Sequence, residues 1–239
     1  MSDEAKKPVL QSVKVLDHVR IGHGAFLQLH RAVVTMVHDD GSESRQGTYE
    51  YLDREVGRDA VVVVLWRHHG PEVEVLIRRG LRMPLLLRKT ALTPQVLDPA
   101  PGYTLELVAG LIEPDEEALL EQAPAGATLV LAGRALAEIE EEAGFRLPAS
   151  RIVPLGSFIY PTTGIFAERL YFFAAQVHAD EEPSAHDGDG SIFEENASTT
   201  WWPLSTAIAA CVSGKIADLK TEIGLRRLVD HLASKAAAR

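Results

Sequence analysis

The chain has 239 residues, of which 46% are apolar, enough for one large domain or for a domain with a smaller appended layer. Its formal net charge of −10 argues against nucleic acid or an anionic membrane as a partner, because binding phosphate backbones or acidic lipids calls for a positive surface. A single cysteine, Cys211, excludes an intrachain disulfide and a cysteine-based zinc site.

The first residues, MSDEAKKPVLQSVK, are polar and charged and lack the apolar core of a secretory signal, which predicts a cytoplasmic protein. AFLQLHRAVVTMVHDDGSES has apolar β-branched stretches ending in an Asp-Gly turn, and TYEYLDREV alternates weakly. RDAVVVVLWRH is a continuous β-branched run, as expected of a strand buried on both faces and too short to span a bilayer. EVEVLIRRGLRMP reads as its partner strand, LDPAPGY as a loop, and TLELVAGLIEP as one strand running into a glycine loop.

From Ala127 to Ala143 the apolar residues Leu129, Ala132, Leu136, Ile139 and Ala143 recur at helical spacing, and Gly144 is a good stop. RIVPLGSFIYPTTG and ERLYFFAAQVH read as strands flanking a loop, and ADEEPSAHDGDGSIFEENAST as an acidic loop. TTWWPL is a short strand, STAIAACVSG a helix capped by Ser or Thr, and DLKTEIGLRRLVDHLASKAAAR an amphipathic helix. Strands, a helix, strands and then helices predict an α+β fold with a mixed sheet packed between helices.

The helix at 127–143 carries the chemistry. Residues three and four apart share a helix face, so Glu138, Glu141 and Glu142 project together, with Arg134 one turn earlier and the apolar stripe on another side. Like charges at such spacings destabilise a bare helix by roughly 0.2–0.5 kcal/mol per pair. Clustered carboxylates are hard oxygen ligands suited to Mg²⁺ or Mn²⁺, and a bound cation would offset the repulsion. Read in isolation, the same cluster is a solvated helix face.

What precedes the helix weighs for the metal. Gly110, Glu116, Glu138, Ile139, Glu141, Glu142, Gly144 and Phe145 together resemble the Nudix box: Gly, five residues, Glu, seven residues, then Arg-Glu-apolar-x-Glu-Glu-x-Gly-apolar. Two departures stand out. The gap between the halves is thirteen residues longer than the pattern, around EALLEQAPAGATL, and Ala137 occupies the arginine position. In the family that arginine supports the glutamates electrostatically, and Arg134 is the candidate substitute here. GLRMP, YPTTGIFAERLYFFAAQV and SGKIADLKTEIGL resemble further segments of ADP-ribose pyrophosphatase-like Nudix hydrolases, so that the likeness runs from Arg45 to Leu232.

The resemblance implies a Nudix fold: a mixed β-sheet sandwiched between helices (58–239), with an N-terminal antiparallel β extension (1–57) that could join two copies into a homodimer. It implies Mg²⁺- or Mn²⁺-dependent hydrolysis of a nucleoside diphosphate sugar, with ADP-ribose giving AMP and ribose 5-phosphate as the leading case. Carried over by motif position, Glu138 and Glu142 are the metal ligands, assisted by Glu141 and the carbonyl of Ala109. Arg82, Glu106, Gly110 and Glu168 are the substrate contacts. The general base falls on the loop before TTWWPL, at Glu195 or its neighbour Glu194. Two rivals accompany this reading: a weakened Nudix module that binds a nucleotide in regulation, and a pyrophosphatase for a CoA or dinucleoside polyphosphate substrate. His68 and His69 read as turn residues, Trp201 and Trp202 as packing residues, and Cys211 as inert.

Overall fold

The structure, a computed structural model, describes residues 8–24, 26–87, 102–122, 126–184 and 197–237. Contacts group the chain into two compact units, Met1–Arg58 with Thr162–Glu168, and Asp59–Pro161 with Arg169–Arg239.

The N-terminal unit is a three-stranded antiparallel sheet in the order β1-β2-β3, formed by Leu10–His23, Gln28–His38 and Gly47–Asp53. The long β1 went unread in the sequence for a physical reason. Its pairing with β2 shifts register at Leu10/Ser12, Val15/Asp17 and Arg20/Gly22, and each irregularity breaks the alternation by which a strand is recognised. The Asp-Gly turn forms as expected, with Gly41 N–H donating to His38 O and Ser42 N–H to the Asp40 carboxylate. Segment 162–168 joins this unit. Leu52 N–H donates to Ile165 O, and the buried Arg54 lies between the Phe26 and Phe166 rings while pairing with Glu168.

The second unit holds a mixed seven-stranded sheet. Its central strand β4, Ala60–His69, pairs antiparallel with β5, Glu72–Leu81, and parallel with β9, Leu170–Gln176. β8, Ile152–Pro154, extends one side and β10, Ser198–Pro203, the other. β4 is buried on both faces, as its β-branched run requires. Val62, Val64 and Trp66 enter one core with residues of α4, Leu204–Val212, and α5, Leu219–Ala237. Val61, Val63 and Leu65 enter the other with α3, Ala127–Ala143. The α/β/α sandwich and the antiparallel N-terminal sheet are therefore as expected.

Five details differ from the sequence reading. TLELVAGLIEP is two strands: β6, Tyr103–Glu106, pairs with β5, and β7, Val108–Leu111, pairs with β4. The break falls at Leu107, whose N–H leaves the ladder for Thr221 Oγ1 at 2.9 Å. The stretch after Gly110, expected to leave the strand as a loop, contains a helix, α2, Pro114–Gln122, with Glu116 accepting from Glu113 N–H near its start. The four-residue α1 is Met83–Leu86. α4 has Pro203 at its N-cap and no side-chain cap, because the chain enters directly from β10. Of the RIVPLGSFIYPTTG segment, Ile152–Pro154 alone forms a strand, followed by a bridge between Ile159 and Leu170.

The phase of α3 is the largest correction. Its bounds match the periodicity, and Gly144 closes it at φ 75°, a left-handed conformation that favours glycine. Yet Leu129 is 79% exposed, and the buried face is made by Leu131, Ala135, Ile139 and Ala143, with Ala132 and Leu136 packed at its edge. The apolar face also takes in Arg134 and Glu138, both buried, so packing side and carboxylate side overlap. Leu131→Ala is expected to cost about 2–5 kcal/mol in urea unfolding. Leu129→Ala should stay within about 0.5 kcal/mol of the parent. Equal losses would contradict this orientation of the helix.

Candidate active site

The site is built where β7 meets α3 and where β5, β6 and α5 converge beside them, all within the second unit. Gly110 is the keystone. A Cβ placed on it would stand 1.6 Å from Glu138 Oε1, so the Glu138 carboxylate occupies the volume that any other residue would fill. Arg134, one turn earlier on α3, donates from Nε to Glu138 Oε1 at 3.0 Å and from Nη2 to Glu141 Oε2 at 2.7 Å. One turn before Ala137, Arg134 thus holds two of the three helix carboxylates. Burial opposes the charge on Arg134, but the two carboxylates outweigh it and hold its pKa above the ordinary value.

Glu142 lies beside them. Its Oε2 accepts from Ala109 N–H at 3.1 Å, and its Oε1 is 3.3 Å from Arg78 Nη2. Burial pushes this carboxyl up to about 8; Arg78 pulls it down, and the Glu138 charge adds to the rise. Between the ordinary carboxylate pKa and about 8, the folded chain holds a proton here that the unfolded chain does not. Glu142 therefore makes the metal-free fold less stable as pH rises through that window.

Glu106 sits at the other end of Arg78. It is 1% exposed and is met by Arg78 at 3.4 Å, Arg82 at 2.8 Å and Lys220 at 2.7 Å. Burial would raise its pKa, but Lys220 and Arg82 outweigh burial and hold it below the usual range. Its contribution to stability is present above the ordinary carboxylate pKa and is lost as pH falls below it. Lys220 also contacts Asp218, which accepts from Thr221 N–H at the start of α5. The guanidinium of Arg82 is about half exposed. The result is a ring of cations around one buried carboxylate, with Arg82 reaching solvent.

Arg78 joins the two halves. Ala109, Gly110, Glu138, Glu141, Glu142, Arg82 and Glu106 are brought together as one neighbourhood. Glu168 belongs to the N-terminal unit and is paired with Arg54 there. Glu194 and Glu195 lie outside the described residues. Sequence reasoning missed Arg78 and Lys220. Lys220 stood inside SGKIADLKTEIGL without a role. Arg78 and Arg79 look alike in sequence, yet Arg78 is buried and Arg79 stacks on Tyr103. Trp201 and Trp202 pack against the two cores, Cys211 is buried, and burial raises its thiol pKa to about 11, away from reactivity.

The donor set fits a hard divalent cation. A carboxyl pushed up to about 8 beside a second carboxylate is a site where a dication would replace a proton. Among the described residues, no three acidic, histidine or cysteine side chains converge as a ready-made cage. In the chain as described, Arg134 holds Glu138 and Glu141, and Arg78 holds Glu142.

No family model matches the chain. A GDP-mannose pyrophosphatase of Yersinia enterocolitica is 26% identical over 198 residues, covering 82% of this chain and 84% of that protein. The chloroplastic Nudix hydrolase 14 of Arabidopsis thaliana is 30% identical over 151 residues, 61% of this chain and 40% of that protein. Among solved structures, an ADP compounds hydrolase superposes with a TM-score of 0.60 at 16% identity, over 96% of this chain and 98% of that one, a likeness of fold.

Arg134→Ala is expected to weaken Mn²⁺ binding roughly 10–100-fold, the usual effect of losing a group that orients metal ligands. Ala137→Arg in the same background should recover a large part of that loss. Calorimetric titration with Mn²⁺ measures both. Unchanged affinity in Arg134→Ala would remove Arg134 from the site.

Proposed function

We propose that the chain is a pyrophosphohydrolase of the Nudix hydrolase family and that its substrate is a nucleoside diphosphate sugar, with ADP-ribose as the leading case. The observation that carries this reading is the span of Arg78, which contacts Glu142 with one nitrogen and Glu106 with another. A group of carboxylates suited to a cation and a group of cations suited to a diphosphate are thereby parts of one site.

Glu138 and Glu142 would hold Mg²⁺ or Mn²⁺, with Glu141 and the Ala109 carbonyl assisting. When bound, such an ion neutralises phosphate oxygens and lowers the pKa of water. The remaining work falls to the chain. Arg82, held from behind by Glu106, presents a guanidinium to the phosphates in the planar geometry that favours two oxygens at once. Lys220 adds a second cation tied to the same carboxylate. Arg134 keeps Glu138 and Glu141 oriented. Gly110 leaves room for the carboxylate against the strand. Glu195, or Glu194 beside it, is assigned the proton of the attacking water, a role contributing on the order of 10²–10⁴ in rate. The N-terminal unit we assign to pairing with a second copy of the chain. Its strand β1 exposes Val13, Val15, Val19 and Ile21, the kind of surface a homodimer covers. No helix among the described residues is long and apolar enough to cross a membrane, and action in the cytoplasm completes the proposal.

GDP-mannose is the named substrate of a relative that matches along most of its length, so the base and the sugar are open to test together. Phosphomonoester release should be measured in a coupled phosphatase assay with Mg²⁺ or Mn²⁺, across ADP-ribose, GDP-mannose, UDP-sugars, diadenosine polyphosphates and CoA. Fast turnover of a nucleoside diphosphate sugar, lost in Glu142→Gln with the fold intact, is the expected result. Turnover of CoA or a dinucleoside polyphosphate alone would move the substrate class. No turnover on any member would leave a nucleotide-binding module.

A further inference from the structure

The N-terminal unit carries a group of donor atoms that hydrolysis does not use. Tyr51 on β3 is the cross-strand partner of His30 on β2, and His18 on β1 pairs with Ala32, two residues along, so the three rings share one face of the sheet. They lie nearly parallel, with His30 centred 5.1 Å from His18 and 5.2 Å from Tyr51. His18 Nε2 is 3.1 Å from His30 Nδ1 and 3.0 Å from Tyr51 Oη.

The tautomer of His30 is set from the Gln28 side. Gln28 Nε2 is 3.1 Å from the Glu55 carboxylate, which can only accept, so the amide orientation is set and Gln28 Oε1 faces His30 Nε2 at 3.3 Å. His30 Nε2 therefore carries the hydrogen, and in the neutral ring Nδ1 is a lone pair aimed at His18. With its ring proton on Nε2, a neutral His18 donates to His30 Nδ1, and the Tyr51 hydroxyl turns its own hydrogen elsewhere. With that proton moved to Nδ1, the two imidazole lone pairs are free for a dication held to one side of the line between them.

We propose that His18 Nε2, His30 Nδ1 and Tyr51 Oη form a binding site for a borderline transition-metal dication such as Zn²⁺. Two imidazole nitrogens bound at 2.0–2.1 Å to a tetrahedral or square centre stand about 2.9–3.4 Å apart, and the observed separation falls in that range. Metal-bound histidines donate their other N–H to an acceptor that fixes the tautomer; Gln28, backed by Glu55, is such an acceptor for His30. His18 is exposed, leaving room for water to complete the shell, while His30 is 8% exposed and anchored. Arg20, opposite His30 on β1, is exposed, so solvent screens its charge. Imidazole ligands select against Mg²⁺, so this site and the carboxylates of the second unit take ions of different class. Bound metal would link β1, β2 and β3, each of which contributes one donor.

The test uses Co²⁺ as a visible probe for Zn²⁺ on the full chain, in the parent, in Glu138→Gln/Glu142→Gln, and in His18→Ala. The proposal expects one equivalent of Co²⁺ with visible bands of a nitrogen-ligated ion in the parent, displaced by Zn²⁺ and untouched by Mg²⁺. The bands should persist in Glu138→Gln/Glu142→Gln. They should weaken at least about tenfold in His18→Ala, whose exposed side chain can be removed without opening the core. Gln28→Leu should give an intermediate loss, and Zn²⁺ should raise the melting temperature of Glu138→Gln/Glu142→Gln but not of the same variant with His18→Ala added. Absence of bands in the parent, bands unaffected by His18→Ala, or bands lost with the carboxylate substitutions would each overturn the assignment.

Discussion

Everything at the site depends on the pressure of one carboxylate against one glycine. Glu138 reaches the backbone of β7 because Gly110 has no side chain, and this contact sets where α3 lies over the sheet. With α3 held there, Glu142 falls against Ala109 N–H and Arg134 falls across Glu138 and Glu141. The apolar packing of Leu131, Ala135 and Ile139 supports the same placement from beneath. Core and site are thus built by the same turns of one helix, and for that reason its buried face includes charged residues.

Electrostatics divides the site into two halves that need each other. Three cations converge on Glu106, whose carboxylate lies wholly inside the protein. On the helix side, carboxylates crowd until one of them holds its proton to about 8. Such an arrangement is costly in a resting protein, since buried like charges repel and buried ions lose hydration. Under the proposed function, a dication in one half and a diphosphate in the other would offset that cost. Arg78, shared between Glu142 and Glu106, carries a change in either half to its neighbour.

Much of this was legible in the residues, and the failures have physical causes. The apolar spacing and the Gly144 stop gave the bounds of α3, and the Glu cluster and Gly110 marked residues that the fold brings together. Its rotational phase was misread because Arg134 and Glu138 look like surface residues, whereas the fold buries them as a pair. β1 was passed over because its irregular pairing disrupts alternation. Arg78 and Lys220 carried no local pattern; Lys220 matters through Glu106, and Arg78 through Glu106 and Glu142, which the chain brings near from distant parts of the sequence. The helical character of the segment after Gly110 was hidden by its acidity, although Pro114 and three acids in the first turn are good helix-starting chemistry.

The most direct test of the account is the proton count on metal binding. Titration calorimetry with Mn²⁺ at pH 7, repeated in buffers of different ionisation enthalpy, reads the protons released per ion. With the Glu142 carboxyl held to about 8, most free chains carry its proton at that pH, so close to one proton should leave as the ion binds. The release should vanish near pH 10 and in Glu142→Gln. Mn²⁺ binding at pH 7 with no proton released would contradict the buried, proton-holding carboxylate on which this description of the site rests.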